Sequence, residues 1–280
     1  MILDGKVVAA SIKEQLKEEI DAAVASGGRR PKLVIISVGD DPASKVYVRN
    51  KMKAAEEVGI EVEHTSYFDS IDGQDLVNVI CDYNDNSKVD GIMVQLPLPP
   101  HLDERAIIDA IDPAKDVDGL TTTNIGRLRS GQPCLKPCTA AGIIDLLKYY
   151  NIRLDGKDVT IIGRSNIVGK PLADMMMAAG ATVTQCHSRT YSLASHTLHA
   201  DIVVSAVGKP KFLCDEFLNP GQVIIDVGIN RDENGKLCGD VDSHFLDPED
   251  YSVTPVPGGV GPMTVAELMK NVVLAWRNNK

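Results

Sequence analysis

Apolar positions along the chain alternate between two periods. In "VVAASIKEQLKEEI" the residues Val8, Ile12, Leu16 and Ile20 recur at helical spacing, which marks one buried helix face. The run "KLVIISVG" that follows is continuous and rich in branched side chains, as a strand covered on both faces is. The pattern repeats with a helix in Asp40 to Ile60, a strand in "IEVEHTSY", a helix in "GQDLVNVICDYN" and a strand in "VDGIMVQLPLP". After a helix from Thr139 to Tyr150 a second series supplies strands in "KDVTIIG", "ATVTQCH", "DIVVSAVG" and "GQVIIDVG". The reading is an α/β fold with mostly parallel sheets. Between the two series, "DPAKDVDGLTTTNIGRLRSGQPCLKP" is polar and rich in glycine and proline for more than twenty positions. A loop of that length is functional or marks a domain joint. The loop "TPVPGGVGPM" leads into a final helix, from an N-cap at Thr264 to about Arg277.

One helix carries an anomaly. "DDPASKVYVRNKMKAAEEVGI" has a start signal at Asp41-Pro42 and a stop at Gly59. At about 100° per residue, Ala43, Val48, Met52, Ala54, Ala55 and Val58 share an arc with Tyr47, and Lys51 falls inside it. Lys45, Arg49, Asn50, Lys53, Glu56 and Glu57 form the wet flank, with Val46 the one misfit. Burying an unpaired ammonium is costly. Either Lys51 snorkels, its stem packed and its charge in water, or its place is chemical.

Composition narrows the choices. A chain of 280 residues with 44% hydrophobic content can bury two modest cores, so two domains are expected. The net charge of -10 argues against a nucleic-acid partner, which calls for a basic face. An anionic ligand must then be held by a few local donors. The six cysteines include no pair with two-residue spacing, so they read as reduced thiols. Cys134 and Cys138 lack a second pair or a close histidine, and His196 and His199 lack a third ligand, so no metal site is expected. The start of the chain lacks signal-peptide architecture, and no apolar run is long enough to span a bilayer. The expectation is a cytoplasmic protein without a membrane partner.

"VTIIGRSNIVGKPLADMMMAAG" sets a strand, a glycine turn and a helix in the order of a dinucleotide fold. Its glycine spacing departs from G-x-G-x-x-G, with Ser165 at the second glycine position and Gly169 next, so a purely structural turn is the alternative. The next strand ends in Ser188-Arg189-Thr190, where a site for a ribose 2′-hydroxyl would carry an acid. With Arg164 in the first turn, two guanidiniums and two hydroxyls suit a 2′-phosphate, which favours NADP over NAD. The cluster Gly258, Gly259 and Gly261 before the final helix either admits a ligand to backbone amides or is an ordinary linker.

Taken in order, "DDPASKVYVRNK", "VQLPLP", "KDVDG", "GRSNIVGKP", "DVGIN", "GDVD" and "PVPGGVGPMT" resemble the bifunctional methylenetetrahydrofolate dehydrogenase/methenyltetrahydrofolate cyclohydrolase family over nearly the whole chain. The resemblance implies two domains around a cleft that holds both reactants. Residues 1–118 would form an N-terminal α/β folate-binding domain and residues 119–280 a Rossmann-like NADP-binding domain whose last helix returns to the first. It also implies a homodimer acting on one-carbon derivatives of tetrahydrofolate. By motif, Lys51 would be the acid-base residue, Tyr47 would stack on the folate one turn earlier, Gln95 would hydrogen-bond the lysine amine, and Asp118 would accept from the pterin edge. Val94 and Leu96 would flank the substrate, and Pro257, Gly258, Gly259, Val260 and Gly261 would line it near the nicotinamide. Gly163, Arg164, Ser165, Ser188, Arg189 and Ile229 would contact NADP. Without the resemblance, Asp116 and Asp118 read equally as loop caps and Gln95 as a strand-end amide.

The chain departs from the family's pattern in two places. "LTTTN" follows "KDVDG" where an aromatic and a histidine are common, and Ala140 stands in "PCTA" where a second proline is expected. Proline preorganises a helix's first turn, so its absence bears on how the connecting helix starts. Two rival functions remain. A dehydrogenase of this family without hydrolase activity would lack Lys51 or Gln95, and an NADP-sensing module would lack Tyr47, Asp118 and the glycine loop.

Overall fold

The structure, a computed structural model, describes residues 1–247 and 249–279, and of Ala43 the backbone alone. Ala43 therefore lies outside the side chains that can be compared with the helix-wheel reading. In chain order the elements are α1 (Gly5–Ala25), β1 (Lys32–Val38), α2 (Pro42–Val58), β2 (Glu61–Tyr67), α3 (Gly73–Asp85), β3 (Gly91–Val94), α4 (Glu104–Asp109), α5 (Thr122–Arg129) and α6 (Cys138–Tyr149). They continue with β4 (Asp158–Ile162), α7 (Gly169–Ala178), β5 (Thr182–Cys186), α8 (Leu193–Thr197), β6 (Ile202–Ser205), β7 (Val223–Asp226), β8 (Asn230–Arg231), β9 (Leu237–Cys238), β10 (Ser252–Val253) and α9 (Val260–Asn278). Contacts group the chain into two compact units. One comprises Ala10–Cys138 with Val265–Lys280, the other Met1–Ala9 with Thr139–Thr264.

In the first unit the strands lie in the order β2-β1-β3, all parallel. Side chains of β1 alternate between faces, as strand geometry requires. Leu33 and Ile35 join Leu16 and Ile20 of α1, Ala55 and Val58 of α2, and Leu268, Val272 and Trp276 of α9. Val34, Ile36 and Val38 join Leu76 and Ile80 of α3 and Ile107 of α4. Covered on both faces, the strand is apolar throughout, which is why its sequence reads as a run. The limits of α2 follow from local chemistry. The Asp41 carboxylate accepts from Ser44 N at 2.7 Å, Pro42 occupies the first turn, and Gly59 ends the helix in the left-handed region at φ 87°, where a side chain would be strained.

One expectation changes here. The polar stretch read as one loop contains α5, started by the Thr121 side chain accepting from Asn124 N. That stretch also packs in the first unit, since Val117, Leu135 and Cys138 share the apolar cluster of α1, α2 and α9. By contacts this stretch groups with the first unit as far as Cys138, and residues 1–9 group with the other unit.

The second unit holds a five-stranded parallel sheet in the order β10-β7-β6-β4-β5, with Ile162, Val203, Ile224 and Val253 in its core. The strands β8 and β9 form a short antiparallel pair. The connecting helix α6 begins at Cys138 without the second proline, with Ala140 buried in its first turn. Thr264 is not the cap of the last helix. It lies inside α9, which starts at Val260 because Pro262 in the first turn has no N–H to lose. The Thr264 hydroxyl instead meets Thr139 Oγ1 at 3.1 Å and Val260 O at 3.3 Å.

Candidate functional site

In the first unit, β1 is flanked on one side by β2, reached through α2, and on the other by β3, reached through α3 on the opposite face. Strand order reverses at β1, and a crevice opens at the carboxyl ends of strands where that happens. Two segments lie at this edge: the turn from β1 into α2, and Val94-Gln95-Leu96 leaving β3. Gln95 N still bonds Ile36 O at 2.8 Å, which fixes the residue one step past the strand. Its side chain is 8% exposed. Gln95 Nε2 donates to Leu96 O at 2.5 Å, which turns Oε1 toward the Lys51 amine at 3.1 Å. Met93 Sδ lies 3.2 Å from the same amine. The snorkelling account of Lys51 does not describe this geometry, because the amine is held by a buried amide. Tyr47, one turn earlier on α2, leaves its ring 40% exposed beside the partly exposed Lys51. Val94 is buried and Leu96 half-buried. Val46 faces out, as its wheel position requires. Gln95 also borders a cavity of about 460 Å³ between α2 and the ends of β1 and β2.

The two acids of "KDVDG" separate into different roles. Asp116, 1% exposed, accepts from Leu120 N at 3.2 Å, Thr121 N at 2.8 Å and Asn124 Nδ2 at 2.9 Å. It is the loop cap. Asp118 receives no such backbone bond among the described residues. Burial pushes its carboxyl above the ordinary carboxylate range and Asp116 adds to that, while the Lys51 charge and the Cys138 thiol act in the other direction. A carboxylate in that condition is open to a ligand that brings donors.

The sequence offered Asp116 as a loop cap, but Met93, Cys138 and Asn271 were not singled out as supports from it. Met93 was legible in principle, since positions two apart on a strand share a face. Asn271 is a buried amide in the apolar stripe of α9, an anomaly of the same kind as Lys51. Its Nδ2 donates to Val117 O and Lys136 O, both at 2.8 Å, and so ties down the backbone just before Asp118 and just before Cys138. Burial raises the Cys138 thiol well above its ordinary value, which makes it inert.

The second unit has its own reversal of strand order at β4, between β5 and β6. At its carboxyl end Gly163 sits at φ 130°. A Cβ there would lie 2.5 Å from Ala206 O, and one on Gly169 would lie 2.3 Å from Gly163 O. Only glycines allow this turn to close so tightly, which leaves the exposed Arg164-Ser165-Asn166 as a shallow cradle before α7. The Ser165 hydroxyl accepts from Val168 N at 3.1 Å and Gly169 N at 3.4 Å, so part of its role is to start the helix. Register pairs Ile162 with Cys186. The exposed Ser188 and Arg189 therefore leave β5 at the same edge as Arg164 leaves β4. Arg189 N is held by His187 Nδ1 at 3.1 Å. No acid stands among residues 187–191, which follow β5, and the cationic, hydroxyl-bearing rim fits a 2′-phosphorylated dinucleotide.

The glycine loop is packed rather than loose. Gly258 O accepts from Gly5 N at 2.9 Å and Lys6 N at 3.2 Å, and Gly259 N donates to Pro255 O at 2.7 Å. Gly258, Gly259 and Val260 are buried, while Pro257 is exposed. A Cβ placed on Gly261 would lie 3.9 Å from Ile229 Cδ1, so the loop and the exposed Ile229 adjoin. Among the described residues no group of three His, Cys, Asp or Glu could hold a metal ion.

An α/β protein of two units, each with residues suited to chemistry or to a nucleotide where its strand order reverses, is the class of two-domain dinucleotide-dependent enzymes. Within that class the chain belongs to the tetrahydrofolate dehydrogenase/cyclohydrolase family. Residues 3–118 match that family's catalytic domain and residues 137–280 its NAD(P)-binding domain. The chain is 50% identical over 274 residues to the bifunctional protein FolD of Streptococcus pneumoniae serotype 4, covering 98% of this chain and 96% of that one. It superposes on the bifunctional FolD methylenetetrahydrofolate dehydrogenase/cyclohydrolase of Campylobacter jejuni with a TM-score of 0.97 at 44% identity, over 100% and 99% of the two chains. The Trypanosoma brucei methylenetetrahydrofolate dehydrogenase-cyclohydrolase, solved with NADP cofactor and inhibitor, gives 0.92 at 36% identity over 99% and 97%.

The two acids can be told apart by experiment. Asp116→Asn puts a donor among three donors and should cost about 1 to 3 kcal/mol of stability, read as an earlier urea midpoint. Asp118→Asn should melt near the parent and lose dehydrogenase and hydrolase activity together. An Asp118→Asn variant that melts early yet turns over folate normally would return that residue to a loop-capping role.

Proposed function

We propose that the chain oxidises 5,10-methylenetetrahydrofolate with NADP to the 5,10-methenyl cation and hydrolyses that cation to 10-formyltetrahydrofolate, with Lys51, Gln95, Asp118 and Tyr47 as the residues that handle the folate. The observation that carries this reading is the Lys51 Nζ to Gln95 Oε1 contact of 3.1 Å at the carboxyl edge of β3. A dehydrogenase alone needs its reactants aligned and has no use for an amine held beside a buried amide. Hydrolysis does need one.

Tyr47 offers its exposed ring face to the flat pterin. The Asp118 carboxylate takes the two parallel N–H donors of the amino-pyrimidinone edge, and Val94 and Leu96 close the apolar sides. Gln95, its orientation fixed by Leu96 O, accepts from the Lys51 amine and aims it. In the hydrolytic half, water adds to the cationic bridge carbon and its proton is relayed by the Lys51 amine to solvent. The adduct hydroxyl then gives up its proton as the carbon to ring-nitrogen bond breaks, and that nitrogen gains one. One proton is released overall. Arg164, Ser165, Ser188 and Arg189 would hold the 2′-phosphate side of NADP, with Gly163 at the tight turn and Ile229 and residues 257–261 toward its reactive end. Bound NADP supplies the hydride acceptor.

A homodimer, which rests on the family resemblance, and a cytoplasmic location, which rests on the cysteine pattern, complete the reading. The net charge of -10 weighs against nucleic acid. No helix among the described residues is long and apolar enough to cross a membrane.

Lys51→Met removes the amine and keeps the apolar stem. Hydrolysis of added methenyltetrahydrofolate should fall by roughly 10² to 10⁴, with NADP affinity intact. Undiminished hydrolysis would sink the assignment. Arg164→Ala removes one charged hydrogen bond, so NADP should bind roughly ten- to a hundredfold more weakly and NAD nearly as before. Equal losses for the two cofactors in titrations of intrinsic fluorescence would show that Arg164 does not read the 2′-phosphate.

A further inference from the structure

"DVGIN" and "GDVD" contribute two buried acids that the chemistry above does not use. Asp240 is fully buried and Asp226 is 4% exposed. The Asp240 carboxylate gathers five donors. Its Oδ2 accepts from Ser205 Oγ at 3.2 Å, Val207 N at 2.7 Å and Gly208 N at 3.2 Å, and its Oδ1 from Lys209 N at 2.9 Å and Asn230 Nδ2 at 2.9 Å. Asp226 in turn accepts from Gly228 N at 3.0 Å, Asp240 N at 2.9 Å and Val241 N at 3.0 Å. Neighbouring glycines make room. A Cβ on Gly228 would lie 2.2 Å from Asp240 Oδ1, and one on Gly239 would lie 1.8 Å from Asp226 Oδ2.

Burying two carboxylates side by side is a poor route to stability. Burial pushes the Asp226 carboxyl up to about 6 despite its three backbone donors. What the pair achieves is local: Asp226 fixes Gly228 and Asp240 fixes Asn230, so Ile229 is pinned from both sides. The same Asp240 carboxylate fixes residues 205–209, the turn that leaves β6 beside β4. We propose that Asp240, with Asp226 behind it, is a positioning residue that holds Ile229 and the 205–209 turn in place at the cofactor edge of the second unit. The inference rests on the reading of Ile229 as an NADP contact.

Asp240→Asn turns one acceptor oxygen into a donor that faces other donors. NADP and NAD should then both bind roughly ten- to a hundredfold more weakly, because the affected contact is common to the two. Hydrolysis of methenyltetrahydrofolate, assayed without NADP, should keep its rate. Asn230→Ala cuts only the tie beside Ile229 and should show the same split more mildly, also where Asp240→Asn fails to fold. Ile229→Ala serves as the control on the underlying reading. If it leaves NADP affinity unchanged, Ile229 is no cofactor contact and the ground for the inference is gone. If Ile229→Ala weakens NADP while both Asn230→Ala and a folded Asp240→Asn leave it unchanged, the positioning role alone is overturned. Equal loss of both activities in step with an earlier melt would also overturn it, as the mark of a role in stability only.

Discussion

An amine set among apolar neighbours is tolerated only where something accepts from it, and the accepting group must itself be oriented. The Lys51 to Gln95 contact meets both conditions, and much of the first unit serves to keep it. The Asp41 cap, Pro42 and Gly59 set the limits of α2 and hence the turn on which Lys51 and Tyr47 fall. The bond from Gln95 N to Ile36 O sets the height of Gln95 above the sheet. The bond from Gln95 Nε2 to Leu96 O decides which end of the amide meets the lysine. Slipping β3 by one residue would turn Met93 and Gln95 to the other face and leave the amine unpaired.

Both units use one topological device. A strand between neighbours reached on opposite faces opens its carboxyl edge, and each unit fills that edge differently. In the first it receives an amine, an amide and an acid whose own loop is capped by a second acid. In the second it receives a turn that only glycine can close, followed by hydroxyls and guanidiniums. The division of labour between Asp116 and Asp118 shows how little separates a structural acid from one open to ligand: two positions in the chain, and a set of backbone donors pointing at one and not the other.

Much of this was legible in the sequence because it is local. The ends of α2 follow from capping chemistry, and β1, β3, β4, β6 and β7 from continuous apolar runs. Lys51 stood out because a charge in an apolar arc is a contradiction that must be resolved. What escaped was non-local. The start of α9 was set four residues late, because the glycines of "PGGVG" read as loop when packing of Gly258 and Gly259 against Gly5 and Lys6 leaves the helix free to begin at Val260. The helix α5 was hidden in a polar stretch whose capping residue, Thr121, looks like any loop threonine. The grouping of residues 119–138 with the first unit could not be read locally, because Leu135 and Cys138, isolated in a polar segment, find their apolar partners on α1, α2 and α9. Asn271 and the carboxylates of Asp226 and Asp240 carry meaning only once their partners, far along the chain, are in view.

The account's central claim is that one chain oxidises methylenetetrahydrofolate and then opens the product with water. The most direct test follows NADPH and methenyl absorbance together after the wild-type protein is mixed with methylenetetrahydrofolate and NADP. The account predicts one NADPH for each folate consumed, with the methenyl signal rising less than NADPH and decaying once oxidation stops. A methenyl signal that matches NADPH one for one and then decays no faster than in a protein-free control would contradict it.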